Sequence, residues 1–393
     1  MEKKNQIDYL VYYRDVSNRH SEAVRRLIDL YLDLIKRGYE LSEAGKNVIW
    51  SGVSPQIVYA CDAIPISAAE IARVGSEDSV ALAEREFLVP NETCAMVKAM
   101  IGELYKYKDT SFTRLAQTPS DCEPVAVSLP LIRDMGFDVH TYDVGLKNGS
   151  DPKRADALRE KFRKEIDALS RWISGKSINR EKLAAELARY NRIQHKIRRI
   201  LDKRLKHTTY MLSLPTMILL AGNADYWGDP IEYESIVDQL LAEFEQLREG
   251  EYNDAETYVI WAGARGQEFG AYETLDNCKA SITGWSIPNN LRDDYNLEKD
   301  PVEAFIDFVL GEGHGGSDVS TGEIEKLIKT TGAKGVILYG FLGCSYGSID
   351  IELKKDHFKK INIPTVSLMG AFQIGATAGQ TATRIEAFLE MLS

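Results

Sequence analysis

Residues 47–67 read NVIWSGVSPQIVYACDAIPIS. NVIW is a short β-branched and aromatic run, a turn falls at Ser54 and Pro55, QIVYACDA is helix-like, and IPIS is a second apolar stretch. The order strand, loop, helix, strand points to a parallel sheet with helices on its faces, because parallel neighbours need a crossover between them. Upstream, residues 21–45 place Leu27, Leu30, Tyr31 and Leu34 at helical spacing before Gly45, which predicts an amphipathic helix leading into the sheet. Downstream, RLAQTPSDCEPVAVSLPLIRDMGFDVHTYDVG (114–145) predicts a helix from Val125 to Gly136 and then a strand, FDVHTYDV.

Residues 151–206 are almost wholly helical in pattern, with Ser177 the expected cap of a second helix and Glu181 just inside it. Strand and helix then alternate again. ETYVIWAG, KASITGWSI, KGVILYGFLGC and IPTVSLMG read as strands; YESIVDQLLAEFEQLREG, DPVEAFIDFVLGEG, TGEIEKLIKTTG and TATRIEAFLEML read as helices. The expected fold is α/β, with two Rossmann-like parallel-sheet domains joined by a helical segment and preceded by an N-terminal helix. Its divisions are an N-terminal helical segment at 1–45, a first α/β domain at 46–150, a helical hairpin at 151–206 and a second α/β domain at 207–393. Two such halves resemble a pseudo-duplication, although no short repeat is visible.

A chain of 393 residues can bury a site without disulfides, and 44% hydrophobic with 27% charged residues is an ordinary globular composition. The net charge of −11, with no basic block, argues against nucleic acid or an anionic membrane as partner. The start, MEKKNQIDYL, has no apolar signal region, and the apolar run MLSLPTMILLAG (211–222) is too short to span a bilayer and contains Pro215. A cytoplasmic protein is expected. Five cysteines, odd in number and scattered singly, make no disulfide framework.

Three of those cysteines share a kind of position. Cys94 opens a helix after PNET, Cys122 follows TPSD before another helix, and Cys344 ends the strand VILYGFLG in the turn CSYGS. Strand carboxyl ends and helix amino ends form the ligand crevice of open α/β sheets, and helix amino ends favour thiolate. Three such thiolates can hold an iron–sulfur cluster with one iron left open, or zinc, or they can simply pack as small hydrophobes. Spacing does not choose, since the separations of 28 and 222 residues (94 to 122, 122 to 344) match no local metal pattern.

SPQIVYACDAIPI, CAMVKAMIGEL, TPSDCEPV, KGVILYGFLGC and the closing GQTATRIEAFLEML together resemble the 2-hydroxyacyl-CoA dehydratase and benzoyl-CoA reductase family, double-cubane-cluster proteins included. The resemblance runs from about residue 45 to 393. It implies that Cys94, Cys122 and Cys344 are the ligands of a [4Fe-4S] cluster on each chain. Two chains would supply six thiolates, enough for two cubanes joined by a sulfide across a dimer. It implies a separate ATP-hydrolysing iron–sulfur activator, a homodimer or homologous second subunit, and a small-molecule substrate. It also places the Ser51 and Ser54 loop beside the open iron, as the catalytic expectation, against the alternative of ordinary turn serines.

Cys61 is expected to pack, and Cys278 to be structural with a fourth-ligand role left open. Trp285, Tyr346 and Gln373 are further crevice candidates. His314, in GEGHGG, reads as a loop residue or a phosphate or acid/base group; neither a dinucleotide fingerprint nor a Walker A motif is present, so this chain is not expected to hydrolyse ATP. One departure from the family stands out. Dehydratase subunits often carry ETD in the final strand, where this chain has SLMGAFQIGATAGQ, so that Gly370, Gly375 and Gly379 leave room for another group to approach the backbone. The expected function is therefore ATP-activator-dependent, low-potential electron transfer and reduction of a small substrate. The alternatives are a 2-hydroxyacyl-CoA dehydratase subunit and a non-catalytic α/β binding protein.

Overall fold

A computed structural model describes residues 5–67, 77–118, 122–143, 152–266, 268–287, 293–311, 317–370 and 379–393, with backbone alone at 152–155 and 317–319. Helix α1 (Gln6–Tyr12) runs into a π-helical turn at Tyr13–Ser17, then α2 (Glu22–Leu32) and α3 (Leu34–Glu43) follow. Ser21 caps α2 by accepting from the Val24 amide. The expected single helix is broken at Asp33, and the break turns Leu34 and Ile35 into the same core as Leu30 and Tyr31.

The first half continues with β1 (Val48–Gly52), α4 (Pro55–Ala60), β2 (Ile64–Ser67), α5 (Glu77–Phe87), α6 (Ala95–Lys106), β3 (Arg114–Gln117), α7 (Glu123–Asp134) and β4 (Asp138–Thr141). Two long helices, α8 (Pro152–Ser174) and α9 (Arg180–Arg204), then α10 (Ser213–Ala221) and α11 (Pro230–Glu245), lead to the second half. There β5 (Thr257–Gly263), α12 (Phe269–Asn277), β6 (Ala280–Ser286), α13 (Pro301–Gly311), α14 (Ser317–Thr331), β7 (Gly335–Phe341), α15 (Ser345–Lys360), β8 (Thr365–Gly370) and α16 (Gly379–Leu392) complete the chain.

Each half contains a four-stranded parallel sheet, ordered β2-β1-β3-β4 in the first and β6-β5-β7-β8 in the second. Counted within its own half, the order is the same. In both, the chain reverses its direction of travel between the first strand and the third, and a ligand crevice opens outside the carboxyl ends at such a point. A glycine ends the first strand of each: a Cβ on Gly52 would strike the Gln117 side chain, and one on Gly263 would lie 2.4 Å from the Tyr339 carbonyl.

Side chains alternate across the strands. Val48, Trp50 and Leu115 of the first sheet share one continuous core with Trp261, Ile337, Tyr339, the N-terminal helices and α10 and α11. The opposite face, Ile49 and Ala116, is covered by α8, α9 and α13 through Phe162, Leu187 and Phe305. In the second sheet Ile260, Ala262, Val336 and Leu338 pack under α14 and α15. The 152–204 helices therefore form the outer layer of the first sheet, and α13, which follows β6 in the chain, packs there with them. The cap of α9 is Asn179, which accepts from the Lys182 amide; Ser177 instead accepts from Arg171, so the cap lies two residues after the expected serine. The apolar run at 211–222 contains the fully buried α10, and no described helix is long and apolar enough to cross a membrane.

Candidate functional site

Cys94, Cys122 and Cys344 occupy the cap positions of α6, α7 and α15. Cys122 follows β3 and Cys344 follows β7, so the two hold corresponding places, at the carboxyl edge of the third strand of each sheet. The turn bearing Cys344 lies directly on the loop bearing Cys94. Gly343 has φ +81°, and a Cβ there would stand 2.1 Å from the Glu92 carbonyl and 2.9 Å from the Cys94 nitrogen. A left-handed backbone conformation and a backbone contact both require glycine at that position.

The thiols differ in their surroundings. Cys94 is 7% exposed, while Cys122 and Cys344 are half-buried. The Gly347 amide donates to the Cys344 sulfur at 3.3 Å. Burial pushes the Cys94 thiol up, the Met96 and Val97 amides draw it down, and the neighbouring Cys344 and Cys122 thiols push it up again. Cys122 and Cys344 thus each lie near enough to Cys94 to oppose its ionisation, and a cationic centre beside it would reverse that effect. Among the described residues, no three His, Cys, Asp or Glu side chains are drawn together tightly enough to hold a single metal ion.

Two positions that sequence reasoning passed over shape this site. Lys98, four residues into the helix from Cys94, is wholly buried and donates to Glu84 at 2.7 Å and to the Asn91 carbonyl at 2.9 Å, tying down the loop before the thiol. Its signal was a single charge inside the apolar stretch CAMVKAMIG. Gly343 was signalled only by its place immediately before Cys344.

The remaining candidates separate. Ser51 is buried at the end of β1, and its hydroxyl donates to the Val53 carbonyl at 3.2 Å and accepts from the Val53 amide at 3.3 Å. Ser54 stands at the cap of α4 without a capping bond. Trp285 is buried in an aromatic stack with Trp261 and Tyr272, whereas Tyr346, on the first turn of α15, is 72% exposed. Gln373, Gly375 and His314 lie outside the described residues. The space at Gly370 is taken by this chain's own neighbouring strand, since a Cβ there would meet the Tyr339 hydroxyl at 2.4 Å; at Gly379 nothing among the described residues lies within 4 Å.

Cys61 and Cys278 each end a helix and precede β2 and β6, at the amino edges of their sheets. Seven-residue strands separate that edge from Cys344 in the second half, a span of roughly 20 Å. Burial pushes both of these thiols up. Cys61 lies against the Ser170 and Ser174 hydroxyls, and Cys278 faces Glu386 and Glu390.

A search of the curated proteins gave no match. The family model described as 2-hydroxyglutaryl-CoA dehydratase, D-component, matches residues 50–392. The chain belongs to that family of dehydratase-type enzyme components.

Proposed function

We propose that this chain is a cytoplasmic iron–sulfur enzyme that takes electrons from a separate ATP-hydrolysing activator and uses them to reduce a small substrate. The observation that carries the reading is the convergence of three helix-capping thiols, Cys94 with Cys122 and Cys344, at the carboxyl edges of both sheets. When bound, a [4Fe-4S] group held by three thiolates supplies one-electron chemistry at low potential and an iron free of protein ligands. The chain's own groups suit that role. Helix amino ends favour the thiolates, the Gly347 amide donates to sulfur and lowers its electron density, and burial of Cys94 keeps water from the site.

Exposed apolar side chains flank the three thiols in sequence: Leu88 before Cys94, Val127 after Cys122, and Tyr346, Ile349 and Leu353 along one face of α15 after Cys344. A surface of this kind suits cover by a second, identical or homologous chain, and six thiolates would then be available for a sulfide-joined pair of clusters. The second reading, one half of a 2-hydroxyacyl-CoA dehydratase, is favoured by the family match itself. Against it stands the final strand TVSLMG, which offers no carboxylate.

The test is iron and acid-labile sulfide per chain, with the visible spectrum, on protein purified without oxygen. About four irons and at least four sulfides, lost in Cys94→Ser, are expected. Sulfide in excess of iron would favour the joined pair, and purification without a different subunit would favour the homodimeric reductase over the dehydratase half. Zinc in place of iron, or colourless metal-free protein after anaerobic reconstitution, would overturn the reading.

A further inference from the structure

The second half also bears a cavity that the cysteines do not touch. Its volume is about 400 Å³, within the range of small-ligand sites, and it opens between the π-helical turn at Tyr13–Ser17, the loop before α10, the loop at Tyr252 and Asp254, and the last turn of α12. Because α12 ends just before β6 begins, the cavity lies toward the amino edge of the second sheet, whereas Cys344 follows the carboxyl edge.

We propose that this cavity binds a small organic cation, an amine or a quaternary ammonium compound. Three carboxyl groups line it, Asp254, Glu273 and Asp276, and among the described residues its lining includes no lysine or arginine. Glu273 and Asp276 are three apart, on one face of α12 near its end, where the negative end of the helix dipole adds to the charge of Glu273; Asp276 is pushed up to about 7 by burial and adds its charge only above that. Of the nearby cations, Arg204 lies close enough to Asp276 to answer its charge and Lys279 lies near Asp254, but the hydrogen bonds of both go to other groups. Arg204 donates to the Met211 and Ile282 carbonyls and to Ser281, and Lys279 donates to Glu256.

Four aromatic rings, Tyr12, Tyr13, His20 and Tyr252, also line the cavity. His20 stacks on Tyr252 with centroids 4.7 Å apart, and its Nε2 is fixed 2.8 Å from the Tyr210 carbonyl oxygen. Tyr210 meets Tyr252 edge-on at 5.1 Å, and Tyr13 donates to Asp276 at 2.5 Å. Ring faces attract a diffuse cation, while carboxylates set around a wide space supply its counter-charge. A magnesium or calcium ion would instead need several oxygens gathered within about 2.0–2.6 Å of one point, and no such group of ligands is present among the described residues.

The experiment titrates choline, putrescine and the neutral choline isostere dimethylbutanol into the full chain by calorimetry, with magnesium chloride as a fourth titrant. At least one organic cation is expected to bind, and the alcohol to bind at least about tenfold more weakly than choline if choline is the one that binds. Glu273→Gln and Tyr252→Ala are each expected to weaken the cation about tenfold with the melting temperature held. Asp356→Asn, on α15, is expected to leave binding unchanged and so to measure non-specific attraction. Equal binding of choline and the alcohol, no binding of either cation at about 10 mM, a preference for magnesium, or equal effects of Glu273→Gln and Asp356→Asn would overturn the proposal.

Discussion

The two sheets follow one plan with unequal detail. Both place the first strand second in the order and carry a cysteine at the cap after the third strand, yet the first is built from strands of four and five residues and the second from strands of six and seven. The means of holding a thiol differ too. In the second half Cys344 is placed by backbone fit, through the left-handed Gly343 pressed on Glu92 and the Gly347 amide on sulfur. In the first half Cys94 is held by a buried charge, Lys98, on its own helix, the one glycine against it being Gly343 of the other half. A shared topology thus fixes where a ligand can stand, and local chemistry fixes how firmly it stands there.

The comparison breaks first at the paired cysteines. If Cys122 and Cys344 are equivalent ligands, Cys122→Ser and Cys344→Ser should each remove most of the iron retained after anaerobic reconstitution, and loss in only one would end the equivalence. Next, Gly343→Ala should destabilise the chain by roughly 2–4 kcal/mol, from the disfavoured φ and the clash with backbone. Gly347→Ala, with its Cβ 3.2 Å from the Cys344 sulfur, should change stability by less than about 1 kcal/mol. Urea unfolding measures both.

Lys98→Met keeps the apolar stem and deletes the bonds to Glu84 and Asn91, so it should cost about 2 kcal/mol, because Glu84 retains some access to water. Buried charge in the second half behaves differently. Burial pushes Asp276 up to about 7, against the opposing pull of Tyr13, Arg204 and Ser213. The folded chain therefore holds a proton that the unfolded chain releases in the ordinary carboxylate range, so this group's contribution to stability falls as pH rises toward 7. Asp276→Asn should flatten the fall between about pH 5 and 7 by about 1–2 kcal/mol, as read from unfolding at each pH. The smallest effect belongs to Cys278→Ser, which should leave iron content unchanged and shift stability by no more than about 0.5 kcal/mol.

The unequal strand lengths also explain what could be read from the sequence. All four strands of the second sheet are long apolar runs bounded by turns, and each lies where its pattern predicts. In the first sheet β3 is only RLAQ, too short and too polar at its ends to show a pattern, and it went unread. The break at Asp33 was invisible because apolar spacing continues through it. The cap of α9 was misplaced because Ser177 and Asn179 are both good cap residues, and only Arg171, from the preceding helix, takes Ser177 away. The three cysteines were recognisable as helix-opening residues, but their nearness depends on the 88–93 loop meeting a turn some 250 residues later. Resemblance supplied that grouping where spacing had left it open.

The placement of α13 bears on how such a chain is made. Its Phe305 and Ile306 belong to the core formed by Leu183, Leu187 and Tyr190 on α9, although they lie beyond β6 in sequence. During synthesis the first sheet cannot close its outer layer until residue 311 has emerged, and the apolar face of α9 waits uncovered in the meantime. A chain cut between the halves would leave that face permanently open to aggregation. Two sheets that look separable on topology thus share a layer that neither half completes alone.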